Sequence, residues 1–164
     1  MHLFQIRQIA IIGLSSLALL YLSCGDDNSS TSSNSDVSLG SWFYQFTEED
    51  GDTSEAYLCL SSDESIYQVN IDYDSEDYYV DLYSGTYSLS SAGLYMNITT
   101  RNEYYGTEKP TDLTDFGDEE SLGDDAITGT YTYSGSGDNM TIAGSSFTKV
   151  SSVPTYISQI SCLE

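Results

Sequence analysis

Basic residues are scarce in this chain. Its 164 residues carry four Lys or Arg against 26 Asp or Glu, for a formal net charge of −22 at pH 7. That balance excludes nucleic acid as a partner, because phosphate contacts need clustered Lys and Arg. It equally excludes docking on anionic lipid through a basic face. Histidine occurs once, as His2, so any segment that excludes the N-terminus cannot build a Ser-His-Asp or Cys-His centre. The commonest transition-metal ligand is missing with it. Long apolar runs are also missing. The longest, Ile9 to Leu22, has 14 residues interrupted by Gly13, Ser15 and Ser16. As a helix it would span about 21 Å, short of a bilayer core of about 30 Å. What is present is 39% hydrophobic and 13% aromatic residues, enough for one packed core. The length suits a single domain.

The N-terminal stretch has the layout of an export signal. Arg7 and the amino terminus supply positive charge, and residues 9–22 form the apolar region. Tyr21-Leu22-Ser23-Cys24 is followed by the polar run Gly25-Asp26-Asp27-Asn28. This junction resembles the lipobox of bacterial lipoproteins. The resemblance implies that Cys24 is the lipid-modified first residue of the mature chain. It also implies a membrane partner through that anchor and an exported location on the outer membrane. Gly25-Asp26-Asp27 further resembles the acidic surface-export signals of some such lipoproteins. The organisation is then signal 1–23, Ser/Asn-rich tether 24–38, folded domain 39–150 and C-terminal tail 151–164. Removing 23 residues leaves 141, takes away His2 and Arg7, and moves the net charge from −22 to −23.

Two further cysteines remain, Cys59 and Cys162. In an oxidising compartment two cysteines allow one pairing. The alternative is two buried free thiols. A disulfide would staple the tail to an early strand and contribute about 3–4 kcal/mol in the chain-entropy model.

From Leu39 onward, apolar residues alternate with polar or aromatic ones. Trp42, Tyr44 and Phe46 form one such series; Ala56, Leu58 and Leu60 another; Tyr67, Val69, Ile71 and Tyr73 a third. Leu94, Met96 and Ile98, then Met140 and Ile142, continue it. A period of two marks half-buried strands, and Tyr, Val, Ile and Thr suit a pleated surface. Eight strands are expected, at 41–47, 55–61, 65–73, 77–89, 93–100, 126–134, 138–143 and 146–150. The connections are too short for parallel crossovers, so the strands must be antiparallel. The fold class is therefore all-β, a single small up-and-down barrel of about eight strands, with a two-layer sandwich as the alternative. The run 101–125 has the least strand character; a helical turn is expected within 110–122. It carries Arg101 and Lys109 among nine acids, and either covers one mouth, presents an acidic face or stays unstructured. A weak repeat joins Gly85-Thr86-Tyr87 to Gly129-Thr130-Tyr131, each leading through a Ser/Gly turn into an apolar arm.

Gly40-Ser41-Trp42 at the first strand resembles the Gly-x-Trp motif that opens lipocalin-like barrels. The Gly-Thr-Tyr strands, the arm Asn139-Met140-Thr141-Ile142 and the ending Phe147-Thr148-Lys149-Val150 resemble bacterial lipocalin-like lipoproteins over residues 39–150. That resemblance implies a barrel whose Trp42 closes one end.

Little in the residues supports catalysis. Arg101, Lys109 and Lys149 are too few for a multi-charge oxyanion or phosphate clamp. Acids are abundant, but no pair stands out as a glycosidase couple. The run Asp72-Tyr73-Asp74-Ser75-Glu76-Asp77 begins like an EF-hand loop, then has Asp77 in place of Gly and Tyr83 in place of Glu. The chain is read as non-enzymatic, with no metal and no cofactor. Trp42, Tyr44, Phe46, Tyr67, Tyr87, Tyr131 and Tyr133 are expected to point into the barrel. There they either fill it, leaving the barrel an envelope scaffold, or bind a small apolar or amphipathic ligand. The competing expectation is an acidic module that captures or inhibits a basic protein, steered by charge.

Overall fold

The structure, a computed structural model, describes residues 39–47, 51, 53–74 and 76–159. The signal segment, Cys24, the tether up to residue 38 and Cys162 lie outside the described residues. The chain is all-β apart from short helical turns. Its strands are β1 (Gly40–Thr47), β2 (Thr53–Leu60), β3 (Ser65–Asp74), β4 (Asp77–Ser90), β5 (Gly93–Gly106), β6 (Glu120–Ser121), β7 (Ile127–Tyr131), β8 (Tyr133–Ser136), β9 (Asn139–Ile142) and β10 (Ser145–Val150). A helical turn α1 spans Thr155–Ser158.

All ten strands belong to one antiparallel sheet, in the order β6-β5-β4-β3-β2-β1-β10-β9-β8, with β7 also on β5. Each expected strand has a counterpart, although β5 runs on to Gly106, well past its expected end at residue 100. The count differs because the strand expected at 126–134 is divided at Thr132 into β7 and β8, and because β6 is new. The hydrogen-bonded ladder does not close into the expected barrel. β7 pairs with β5 and β8 with β9, so the two follow one another along the chain instead of pairing side by side.

The segment 101–125 is also more ordered than its composition implies. β4 and β5 continue as a ribbon up to Gly106, and Arg101 and Thr100 pair with Glu120 and Ser121. Between them a 3₁₀ turn, Leu113–Asp115, is held by a capping box of two acids. Asp112 accepts from the Thr114 amide at 2.9 Å, and Asp115 accepts from the Thr111 and Asp112 amides at 2.8 and 3.1 Å. The backbone hydrogen bonds lower both carboxyl pKa values.

Register sorts the side chains onto two faces. On the first, one row crosses the sheet as Trp42, Leu58, Gln68, Tyr83, Arg101 and Glu120. On the second, the matching row is Ser41, Cys59, Tyr67, Ser84 and Thr100. Each face has its own core. The Trp42 face packs Trp42, Leu58, Leu60, Ile66, Tyr87, Leu94, Met96 and Ile98 against Met140, Ile142 and Phe147 from β9 and β10. The Cys59 face packs Cys59, Val69, Ile71, Val80 and Leu82 under Phe116, Tyr156 and Ile157.

The core therefore changes sides along the strands. Within β3, Ile66 belongs to the first core and Val69 and Ile71 to the second. The physical cause is strand length. β3, β4 and β5 are longer than β7–β10, and along their far ends the Trp42 face carries mostly polar side chains, buried at Asn70 and exposed at Glu103. Their apolar side chains turn instead toward the segment 113–116 and the C-terminal residues 153–157. The expected tail is thus, up to Gln159, a docked cover of the sheet.

The repeat has a structural meaning that differs from two equivalent hairpins. Gly85 to Tyr87 lie along one edge of β5 and Gly129 to Tyr131 along the other, with both Tyr on the Trp42 face. The first copy pairs with its own apolar arm. In the second, β9 pairs with residues 133–136 instead. Gly85 is demanded by contact. The ladder shifts register there, and a Cβ on Gly85 would lie 2.1 Å from the Asn97 carbonyl oxygen and 2.6 Å from Ile98 Cα.

Candidate functional site

Six of the seven expected lining residues lie on one face. Trp42, Tyr44, Phe46, Tyr87, Tyr131 and Tyr133 all project from the Trp42 face, by the pairings that relate their strands. Tyr67 does not. It pairs with Cys59 and Ser84 and packs into the opposite core. Its own strand alternates correctly, but alternation alone carries no phase from one strand to the next.

Most of the six are packed. Trp42 is 1% exposed, and Lys149 Nζ sits 5.8 Å from its ring centroid. Tyr87 is buried and donates its hydroxyl to the Ser61 carbonyl at 2.8 Å. Tyr131 and Tyr133 are half-buried against the same cluster. Tyr44 lies between Phe46 and Phe147, with ring centroids 5.6 and 5.3 Å away. This half of the face is filled by its own side chains.

The other half of the Trp42 face is polar, buried over β2 and β3 at Ala56 and Asn70 and exposed at the β4–β5 edge at Tyr79, Glu103 and Tyr105. Beyond the Trp42 row, the next row runs Tyr44, Ala56, Asn70, Asp81 and Glu103. Further out, Asp72 pairs with Tyr79 and Tyr79 with Tyr105. Two amides are buried at the boundary, where Gln68 Nε2 donates to Asn70 Oδ1 at 3.0 Å. Arg101 is the organising cation: its guanidinium meets Glu103 Oε1 at 3.1 Å and Glu120 Oε2 at 3.1 Å. Burial works against its charge, but Glu120, Glu103 and Asp81 outweigh it and hold its pKa above the ordinary value.

Asp81 and Glu103 stand directly opposite on neighbouring strands, a like-charge placement that costs stability. Burial pushes the Asp81 carboxyl up to about 6, Arg101 opposes the shift and Glu103 adds to it. Tyr83 lies beside it, its hydroxyl 3.4 Å from Asp81 Oδ2, and burial followed by the Asp81 charge pushes its phenol up to about 12. At the rim Tyr105 donates to Asp77 Oδ2 at 2.6 Å, which is the main reason its phenol also rises to about 12.

Chemically this half of the face offers rings, amides and carboxylates around one engaged Arg. Among the described residues no cluster of three or more His, Cys, Asp or Glu is placed to hold a metal ion. Cys59 is disulfide-bonded, so it offers no thiol there. The composition-based reading did not single out Asp81, Arg101, Tyr79 and Tyr105 as site residues. One signal did point to the rim: the doublets Tyr78-Tyr79 and Tyr104-Tyr105 occur in the two longest strands, each with one ring on either face. Comparison with protein-family models, with curated proteins and with solved structures gives no match for this chain.

Proposed function

We propose that this protein is a lipid-anchored envelope protein of bacterial type, held by Cys24. Its lipocalin-like barrel performs no chemistry of its own and serves as an acidic binding module for a basic protein. The barrel reading takes residues 127–136 as one strand bent at Thr132, reaching β5 with its first half and β9 with its second. In support, the Ala143 amide donates to the Thr132 carbonyl at 2.9 Å, carrying the hydrogen bonding across the bend.

The observation that carries the binding reading is the change of side made by the core. It fills one half of the Trp42 face with apolar side chains and leaves the other half polar, with a carboxylate-rich β4–β5 edge where Tyr79 and Tyr105 are exposed. A filled apolar half favours a scaffold that presents a surface over one that encloses an apolar ligand. Net charge supports the choice of a basic partner, since it accelerates encounter with positive surfaces.

A small amphipathic ligand remains the second reading. It is favoured by the half-buried Tyr44 and Phe46, which share the Trp42 face with the Gln68–Asn70 amide pair one strand beyond β2.

The anchor is tested by palmitate labelling in a bacterial host. Wild type is expected to take up label and Cys24→Ala to lose it; undiminished labelling of the variant refutes the anchor. The basic-partner reading requires binding that falls steeply between low and high salt. Saturable uptake of an amphipathic fluorescent probe, unaffected by salt, favours the second reading instead.

A further inference from the structure

The far end of the β3–β4–β5 ribbon carries four Tyr rings as two cross-strand pairs, back to back. On the Cys59 face Tyr73 opposes Tyr78, with centroids 4.7 Å apart; on the Trp42 face Tyr79 opposes Tyr105, at 4.8 Å. The two pairs have nearly the same tilt, 44° and 45° between planes. Their surroundings differ. Tyr78 already has a cation: Lys109 Nζ lies 5.7 Å from its ring centroid while bonding Glu55 Oε2 at 3.3 Å. The Tyr79–Tyr105 pair has none among the described residues. The nearest basic side chain on that end of the face, Arg101, is engaged by Glu103 and Glu120.

Both bare rings are well exposed, Tyr79 at 45% and Tyr105 at 61%. Carboxylates line the same face: Asp77 bonded to the Tyr105 hydroxyl, Asp81 one step along β4, and Glu103 one step along β5. We propose that the Tyr79–Tyr105 pair is the docking point for a basic protein, receiving a Lys or Arg side chain over its rings as Tyr78 receives Lys109. This rests on the basic-partner reading and names the surface that performs it. Aromatic anchors with adjacent opposite charge are the groups that dominate protein interfaces, and a cation over a Tyr ring gains further when the partner excludes water. The occupant is a protein and not a small amine because the rings stand on the open end of a sheet. A small ligand needs walls that bury most of its surface, whereas a second protein brings its own.

The test uses the full-length protein in detergent micelles. The probe is a fluorescent Lys/Arg-rich peptide carried on a neutral protein, with a Gln-substituted counterpart as control. The wild type is expected to bind the basic probe and not the Gln version. Tyr79→Ser combined with Tyr105→Ser is expected to weaken binding at least tenfold. Asp118→Asn with Glu119→Gln, which removes two exposed charges elsewhere, is expected to change it less than threefold. Unaltered binding by the Tyr variant overturns the assignment of this surface while leaving the basic-partner reading in place. No binding by the wild type overturns both. Complete displacement by an equimolar short diamine overturns the protein assignment in favour of a small cation. Both Tyr are exposed, so an unchanged thermal melt shows that the variant is folded.

Discussion

The hydroxyl of Tyr87 donates to the backbone carbonyl of Ser61 at 2.8 Å, across 26 positions of chain. The Tyr87 amide also donates to the Glu64 carbonyl at 2.9 Å. One buried residue of β4 therefore fastens the β2–β3 turn, where Glu64 holds a left-handed φ of 68°. Tyr87→Phe keeps the ring and removes only the hydroxyl. It is expected to cost about 1 kcal/mol, since the Ser61 carbonyl loses one of two donors and keeps the Glu64 amide at 3.2 Å. Urea denaturation measures this; a loss below about 0.3 kcal/mol would show that water replaces the bond without cost.

Gly85 faces a backbone and not a flexible side chain, so Gly85→Ala has no cheap relief. The variant is expected to lose about 2–3 kcal/mol or more, as overpacking at a rigid contact does. Gly135→Ala is the control, because its nearest contact would be an ordinary 3.6 Å to Asn139 O. Equal melting temperatures for the two variants would contradict the close approach.

Asp81 gives a pH dependence whose sign is determined by its raised pKa. An acid with a higher pKa in the folded state holds its proton longer there, so the native chain binds more protons between the two values. Stability contributed by Asp81 is therefore full below the ordinary value of 3.8 and is lost as pH rises to about 6 and beyond. Asp81→Asn is expected to be about 1–2 kcal/mol more stable than wild type at pH 7.5 and nearly equal to it at pH 4. Denaturation at both pH values decides; a variant less stable at pH 7.5 would mean that the Arg101 field outweighs burial.

Arg101 holds β6 to β5 through Glu120, beside a ladder of only two residue pairs. The bridge is solvent-accessible, so Arg101→Met is expected to change global stability by no more than about 1 kcal/mol. The local effect is larger: amide exchange in residues 118–122 is expected to accelerate at least fivefold. Unchanged exchange there would place the hold on the Leu122 amide, which donates to the Thr99 carbonyl at 2.9 Å.

Cys59 is disulfide-bonded and packs in the same core as Tyr156 and Ile157, only five residues before Cys162. The expected pairing is Cys59–Cys162. Non-reducing peptide mapping is expected to recover that crosslink, and Cys162→Ser to lose about 2–5 kcal/mol. A Cys24–Cys59 crosslink would refute both this pairing and a free Cys24 for lipid attachment.

The strands, their antiparallel order and the acidic, nearly histidine-free chemistry were legible in the residues themselves. Alternation in Trp42–Phe46 or Tyr67–Tyr73 reflects a local steric period, and composition needs no fold to be read. The relation between strands was not legible. Each series repeats every two residues, but nothing within it says whether Tyr67 shares a face with Trp42 or with Cys59; only hydrogen-bonded register decides that. The core's change of side was hidden for the same reason. It follows from β3–β5 being longer than β7–β10 and from segments 113–116 and 153–157 returning to cover the exposed side. Asp81, Arg101, Tyr79 and Tyr105 are ordinary strand residues in sequence. They come together because hydrogen-bonded register places them on one face at the β4–β5 end, where Tyr79, Glu103 and Tyr105 stay exposed beside the buried Asn70.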